Sequence, residues 1–190
     1  MLKLITIEEI KEKSAKEIAE IYTQDIENLK KELESKTIDE LKELEKEIIE
    51  EQDKFDDHVK TIEYEIPRDL TWDNMKYSRN EIYSKIIYFL NKNEVQFAYT
   101  LGLYELIKFW KNFSNDKISY GAFDSTLRLL EQVKFKGFEE YRDILAINEF
   151  FKPMHEGYTI DISRSIYLAQ VHNEIISRME LITPITTTEK

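Results

Sequence analysis

The chain has 190 residues, a formal net charge of −11 and no cysteine. Without cysteine there are no disulfides, thiolate metal sites or cysteine nucleophiles, and the charge opposes non-specific binding to nucleic acid or anionic membranes. The apolar run at the start is too short for a signal peptide, and no segment approaches the ~20 apolar residues of a membrane span. We therefore expect a soluble protein, cytoplasmic or within a virion.

Charge and aromatic content divide the sequence into two parts. Residues 1–66 carry 11 Lys against 21 Asp and Glu, with only three aromatic residues. The remaining residues hold 20 aromatics and are nearly neutral, with 16 Lys and Arg against 17 Asp and Glu. This contrast predicts an acidic helical arm at 1–66, an aromatic-rich helical core domain at 67–182 and a tail at 183–190.

The first helix of the arm is predicted to begin at Thr6. Thr6 and Glu9 have the spacing of a capping box, in which each side chain accepts a hydrogen bond from the other residue's backbone N–H. Neither glycine nor proline occurs between Thr6 and Ile66, so we expect this helix to continue to about Leu33. Such a helix would be about 40 Å long, which exceeds the diameter of a small domain.

Apolar residues of the arm recur at alternating steps of three and four, which is typical of helices that pair along a narrow seam. Glu51 and His58 occupy two of the expected seam positions and weaken its second half. The seam is the predicted interaction site, pairing either within the chain or with another subunit. Its residues are Tyr22, Ile26, Leu29, Leu33, Leu41, Leu44, Ile48 and Phe55.

A break in this spacing predicts a turn within the arm. Leu33 and Leu41 are eight residues apart rather than seven, and Thr37 and Glu40 form a second potential capping box. We expect a tight turn at Ser35–Thr37 that makes the arm a helical hairpin. The alternative is one long helix or coiled coil in which the apolar spacing shifts by one residue, because no glycine marks the end of a first helix.

Two short segments alternate apolar and polar residues with the period of a β-strand. They are Thr61–Ile66, which Pro67 ends, and Tyr158–Ile162. The two segments could pair as a small ribbon. The alternative is that the second one leads into a helix, because Asp161 and Ser163 are good N-caps.

Beyond Pro67 the pattern predicts a bundle of about five helices. Thr71 or Asp73 can cap the first of them, and polar or glycine-containing links are expected at Asn112–Ile118, Lys134–Gly137 and Lys152–Gly157. The overall class is therefore all-α, with one two-stranded ribbon as a minor element. The predicted helices are Asn74–Leu90, a central core helix capped by Asn93 and reaching Trp110, Tyr120–Val133, Phe138–Phe151 and Ser163–Leu181.

No catalytic motif is present. The four glycines are isolated, so no phosphate-binding loop exists, and no Gly-x-Ser-x-Gly elbow occurs. His155, Glu156, His172 and Glu174 form the most enzyme-like set, because a loop next to a helix could bring imidazoles and carboxylates to one metal. Their spacing matches no metal motif, so we predict no catalytic residue, no metal and no cofactor.

Two segments interleave lysines with aromatic residues, as single-strand nucleic-acid surfaces do. They are Lys108–Lys111 and Lys134–Phe138. At helical spacing such aromatics more often belong to the core, with the lysines at its rim. The near-neutral charge of this half favours the core interpretation, so we predict no nucleic-acid partner.

These observations favour a non-enzymatic structural or adaptor protein of a larger assembly, joined to protein partners through the arm. Ile (25) and Lys (21) far outnumber Ala (6) and Arg (6), which suggests an AT-rich coding genome. Within the structural class this composition favours a phage virion or connector component. The alternatives are an acidic regulatory protein that binds a basic partner and a small metal-dependent hydrolase.

Overall fold

A computed structural model describes residues 2–92 and 100–183. The chain is mostly helical with two small antiparallel sheets, which confirms the all-α class with a minor ribbon. The cap predicted at Asn93 and the tail beyond Thr183 lie outside the described residues. The elements are α1 (Ile7–Ile10), α2 (Ala15–Leu33), α3 (Ile38–Val59), β1 (Glu63–Glu65), β2 (Asp69–Trp72), β3 (Met75–Ser78), α4 (Arg79–Asn91), α5 (Thr100–Asn112), β4 (Lys117–Ser119), α6 (Tyr120–Glu131) and α7 (Gly137–Ile182).

The chain forms two compact units, and α7 contributes to both. The first unit combines Met1–His58 with Thr159–Lys190, and the second is Val59–Tyr158. This grouping differs from the predicted division at residues 66 and 182, because the last part of α7 belongs with the arm helices. None of the described helices is long and apolar enough to cross a membrane.

The arm begins with two helices where one was predicted. The capping box of Thr6 and Glu9 is present as expected, but α1 ends at Ile10. A second capping box then starts α2: the Glu17 N–H donates to Ser14 Oγ over 3.3 Å, and the Ser14 N–H donates to Glu17 Oε2 over 2.9 Å. The continuous helix from Thr6 to Leu33 is therefore wrong, because Ser14 satisfies the donors of a new helix end.

The turn between α2 and α3 is confirmed. The Thr37 N–H donates to Glu40 Oε2 over 2.8 Å, and the Glu40 N–H donates to Thr37 Oγ1 over 3.4 Å. The alternative of one long helix is wrong, because this capping box stabilises a new helix start despite the absence of glycine.

The strand predicted in Thr61–Ile66 is confirmed as β1, but its predicted partner is wrong. β1 pairs antiparallel with β4, so that Tyr64 lies opposite Ile118. Tyr158–Ile162 lies inside α7 instead. The observed partner, β4, overlaps the link predicted at Asn112–Ile118. It was not recognised as a strand because three residues are too few for the strand periodicity to be visible.

A hairpin of β2 and β3 occupies the region where a helix from Asn74 was predicted. Asp73 and Asn74 adopt positive φ angles of 50° and 58°, a backbone region that Asp and Asn tolerate better than most residues and that a tight hairpin turn needs. Helix α4 begins only at Arg79, where Ser78 is the N-cap. The predicted caps Thr71 and Asp73 are therefore wrong.

The clearest predicted loop, Lys152–Gly157, lies within α7, and so does the predicted cap Ser163. Pro153 removes one helical hydrogen bond, which costs about 3 kcal/mol. Tertiary burial of its neighbours Phe150, Phe151 and Met154 offsets this cost. Further along, Gly157 lies beside the Tyr64 ring of β1, where an added Cβ would make an ordinary contact at 3.4 Å.

An aromatic core fills the second unit. Trp110 is 1 % exposed, which confirms its core assignment, and its indole N–H donates to Thr126 Oγ1 over 3.0 Å. The Tyr83 ring lies 5.0 Å from that of Trp110, and burial raises the pKa of Tyr83 to about 12. This core supports α6 and the first part of α7, which carry the surface described below.

Candidate protein-interaction surface

All eight residues of the predicted arm seam are buried within the first unit, none more than 9 % exposed. The last part of α7 packs against them: the Tyr167 ring stacks on Tyr22 at 4.2 Å, and Arg178 donates to the Glu34 carbonyl over 2.7 Å. His172 lies 3.1 Å from Gln52 of α3. The seam therefore pairs inside the chain, and its use by another subunit stays a prediction.

The histidine and glutamate set is not assembled as the metal hypothesis required. All four residues lie in α7, so there is no loop to fold them together. His155 and Glu156 belong to the second unit, whereas His172 and Glu174 belong to the first. Within residues 2–92 and 100–183, no group of three or more His, Asp or Glu could hold a metal ion.

Sequence reasoning missed a cluster that fastens the start of the chain in the first unit. Arg164 is 8 % exposed, and its guanidinium donates to the Ile5 carbonyl and lies 5.4 Å from the Tyr167 ring. Tyr167 donates to Asp25 over 2.5 Å and accepts from the Ile5 N–H over 3.2 Å. Burial raises the pKa of Tyr167 above the ordinary tyrosine value. Together these contacts hold the segment before α1 against α7 within the first unit.

A cavity of about 520 Å³ lies beside this cluster. Its lining includes Glu47, Glu50, Glu51 and the buried Arg164. The carboxylates would favour a cationic group, whereas the guanidinium opposes one. The lining is therefore mixed in charge.

Three exposed aromatic residues lie at the connection between α6 and α7. Phe135 is 48 % exposed, Phe138 is 75 % exposed and Tyr141 is 43 % exposed. The rings of Phe135 and Tyr141 are 5.3 Å apart, and Phe138 lies one helical turn before Tyr141. We call these three residues the aromatic face.

The core interpretation is wrong for Phe135 and Phe138, although it is right for Trp110. Phe135 lies outside any helix, and Gly137 adopts a φ of 75° as α7 begins. The helical spacing assumed from the sequence is therefore absent. In the sequence, the alternation of lysines and aromatic residues in Lys134–Phe138 was the feature that marked this surface.

An apolar cavity of about 280 Å³ adjoins the aromatic face, between α6 and α7. Phe135 belongs to both the face and the cavity wall. A dry cavity of ~150 Å³ with a wholly apolar lining can hold benzene, so this mostly apolar one has room for a bulky side chain. We call it the α6–α7 cavity; its lining is Leu127, Leu130, Glu131, Val133, Phe135, Ile144, Ile147, Asn148 and His155.

Glu140 holds the start of α7 in place beneath the aromatic face. Its carboxylate accepts from Lys92 Nζ at 2.6 Å, from the Lys136 N–H at 2.5 Å and from the Tyr88 hydroxyl at 2.7 Å. These donors, Lys92 above all, lower the pKa of Glu140 to about 2. The carboxylate is therefore ionised at any ordinary pH and fixes the first turn of α7 against α4.

We predict that Glu140→Gln destabilises the second unit at neutral pH. Hydrogen bonds in the folded chain lower the pKa of Glu140 relative to the unfolded chain. The ionised carboxylate therefore stabilises the fold fully above about pH 4.5, and this contribution to the free energy of unfolding is lost towards about pH 2. Melting temperatures at pH 7 and pH 3 should show the difference from the wild type shrinking in acid. Glu139→Gln is the control, because Glu139 makes no ion pair with the described residues. An equal difference at both pH values would contradict the prediction.

Lys134 and Lys136 flank Phe135 in the connection before α7. Both are exposed, and neither ammonium group forms an ion pair with the described residues. The nearby carboxylates that remain exposed are Glu131 at the end of α6 and Glu139 in the first turn of α7. The basic charge is therefore concentrated next to Phe135.

The connection thus combines exposed aromatic rings, an open apolar cavity and unpaired lysines within one short stretch. Such a surface can bind an apolar segment of another molecule. A scan against protein-family models finds no match, and neither a search of curated proteins nor a search of solved structures finds one.

Proposed function

We propose that this chain is a non-enzymatic structural or adaptor protein that binds a partner protein of a larger assembly through the aromatic face. The observation that carries the proposal is the exposure of Phe135, Phe138 and Tyr141 in one contiguous group. The largest exposed apolar patch on a protein surface is often a functional one, and binding sites for other proteins are a common reason for it. Aromatic side chains are also enriched at the energetic centres of protein interfaces.

The magnitude of burial supports a protein partner. Covering three rings that are roughly half exposed removes on the order of 300 Å² of apolar surface from water. At ~25 cal/mol per Å² this is worth on the order of 7 kcal/mol before the entropic cost of association. A contact of this size can anchor a larger interface.

The proposal places the binding surface on the second unit rather than on the arm. The arm seam is already paired inside the chain, so a partner could reach it only by displacing α7. Membership of a phage virion rests on composition and stays a prediction.

To test the proposal, a photo-crosslinking amino acid is introduced at position 138 of the affinity-tagged full chain, in the cells that naturally produce it. We expect crosslinks to a defined partner from position 138 and none from position 166, which is also exposed. The purified complex should then be lost with Phe138→Ser/Tyr141→Ser. It should survive Ile166→Ser/Leu181→Ser, which removes two exposed apolar side chains from the first unit.

A complex that survives Phe138→Ser/Tyr141→Ser at wild-type strength would contradict the proposal. So would a chain that remains monomeric in cell extract with no crosslinked product at position 138.

The acidic-regulator alternative is favoured by a different observation, the glutamate-lined cavity in the first unit. A basic partner bound there would depend on Glu47, Glu50 and Glu51, and high salt would weaken it strongly. Changing these three residues to Gln should abolish a regulator complex but leave one made through the aromatic face intact. The same purified complex therefore decides between the two functions.

A further inference from the structure

Met75 lies in the β2–β3 hairpin of the second unit, and its sulfur accepts hydrogen bonds from two side chains. Arg142 Nη2 donates to Met75 Sδ over 3.1 Å, and the Tyr77 hydroxyl donates to the same sulfur over 3.5 Å. Arg142 Nη2 also pairs with Asp73 Oδ2 over 2.7 Å, at the turn of the hairpin. The Arg142 guanidinium therefore attaches the hairpin to α7.

This attachment lacks a strong acceptor for all of its donors. The thioether sulfur of a methionine accepts hydrogen bonds only weakly. Arg142 Nε is buried and has no hydrogen-bond partner among residues 2–92 and 100–183. A buried N–H without a partner destabilises the folded state, because the group has lost its hydrogen bonds to water. An oxygen acceptor beside Met75 Sδ would remove this deficit.

We infer that Met75 is a site of reversible oxidation by hydroperoxides, and that its sulfoxide fastens the β2–β3 hairpin more firmly to α7. The inference is independent of the proposed function. In the reaction with hydrogen peroxide, a lone pair of Met75 Sδ attacks one peroxide oxygen and the O–O bond breaks. The sulfur loses two electrons and becomes a sulfoxide, while the second oxygen leaves as water with both protons.

Exposure distinguishes Met75 from the other two methionines within residues 2–92 and 100–183. Met75 is 43 % exposed, whereas Met154 is 2 % exposed and Met179 is half-buried. A peroxide in solution therefore reaches Met75 first. The two hydrogen bonds to the sulfur are weak, and the unbranched side chain changes rotamer readily, so a lone pair becomes available for attack.

The sulfoxide oxygen meets donors that the thioether satisfies poorly. Oxidation turns the apolar thioether into a polar group. A guanidinium presents its Nε–H and one Nη–H along the same edge, in the fork that suits oxygen acceptors. A rotation of the exposed Met75 side chain brings the new oxygen to this edge of Arg142, so that the unpaired Nε gains a partner. Little packing is lost, because Met75 is not in the core.

The experiment treats the full chain with hydrogen peroxide and follows each methionine by peptide mass spectrometry. We expect Met75 to be oxidised at least ~10-fold faster than Met154. Tryptophan fluorescence then reports the melting temperature of the second unit, in which Trp72 lies opposite Met75. The oxidised chain should melt on the order of 4 °C higher than the reduced chain. Methionine sulfoxide reductases for both epimers should reverse this rise.

Variants separate the proposed contact from other effects of peroxide. Met75→Leu keeps a similar side-chain volume and should show no rise in melting temperature after the same treatment. Arg142→Gln should leave the oxidation rate of Met75 unchanged but abolish the rise. Lys76→Gln removes an exposed charge from the same strand and should keep the rise in full.

Three results would overturn the inference. The first is oxidation of Met75 no faster than that of Met154, and the second is an unchanged or lower melting temperature of the oxidised wild type. The third is a full rise that persists in Arg142→Gln. If Arg142→Gln does not fold, Tyr77→Phe decides instead: it removes only the hydroxyl from a buried ring, and an undiminished rise in this variant counts against the contact.

Discussion

Ile26→Glu/Leu29→Glu is expected to unfold the first unit. The two side chains are 7 % and 9 % exposed, so the new carboxylates would be buried without a cationic partner. Burying two unpaired charges costs on the order of 5 kcal/mol or more, comparable with the whole stability of a small domain. Both tryptophans, Trp72 and Trp110, lie in the second unit, so their fluorescence reports that unit separately.

Circular dichroism should therefore show a large loss of helix while the tryptophan emission maximum stays unchanged. Asn28→Glu/Lys31→Glu adds the same carboxylates on the exposed side of α2 and should leave the helix content intact. The alternative from the sequence is that the seam pairs with another subunit. Retained helix content together with lost assembly would show that the seam binds another subunit.

A fragment of residues 59–158 is expected to fold alone, whereas residues 67–190 should contain a partly unfolded α7. The shorter fragment keeps the aromatic core and both small sheets. The longer one lacks β1 and also lacks α2 and α3, which cover the last part of α7. Buried apolar residues of that part would become exposed to water: Tyr167, Leu168, Val171 and Ile175.

Hydrogen exchange measures this difference directly. In the 67–190 fragment, amides after residue 158 should exchange far faster than in the full chain, while α4 and α6 should stay protected in the 59–158 fragment. The charge contrast in the sequence predicted that 67–190 would fold as a complete domain. Full protection of α7 in that fragment would support this division and contradict the grouping of the chain into the two units.

The aromatic face could be predicted only in part from the sequence. Lys134–Phe138 attracted attention as a pattern, yet helical periodicity assigned its rings to the core. Exposure of Phe135 and Phe138 depends on where α6 stops and where α7 begins, and α7 begins at Gly137, whose φ is 75°. The α6–α7 cavity could not be predicted, because its walls come from two helices and the connection between them.

The sequence by itself determined the features that rest on contacts a few residues apart. The capping boxes of Thr6 and Thr37, the apolar seam and the start of α6 are of this kind, because backbone donors are satisfied locally and helical periodicity is visible within a few turns. The box at Ser14 had the same signal, but an unbroken run of helix formers concealed it.

Only the tertiary structure decided the features that balance a local cost against distant packing. Pro153 favours a break, and α7 passes through it because Phe150, Phe151 and Met154 are buried in the core. Pairing of β1 with β4 and of the arm seam with the last part of α7 joins residues that are far apart in the chain. The physical reason is that burial depends on which surfaces meet, and no local pattern records the identity of the opposing surface.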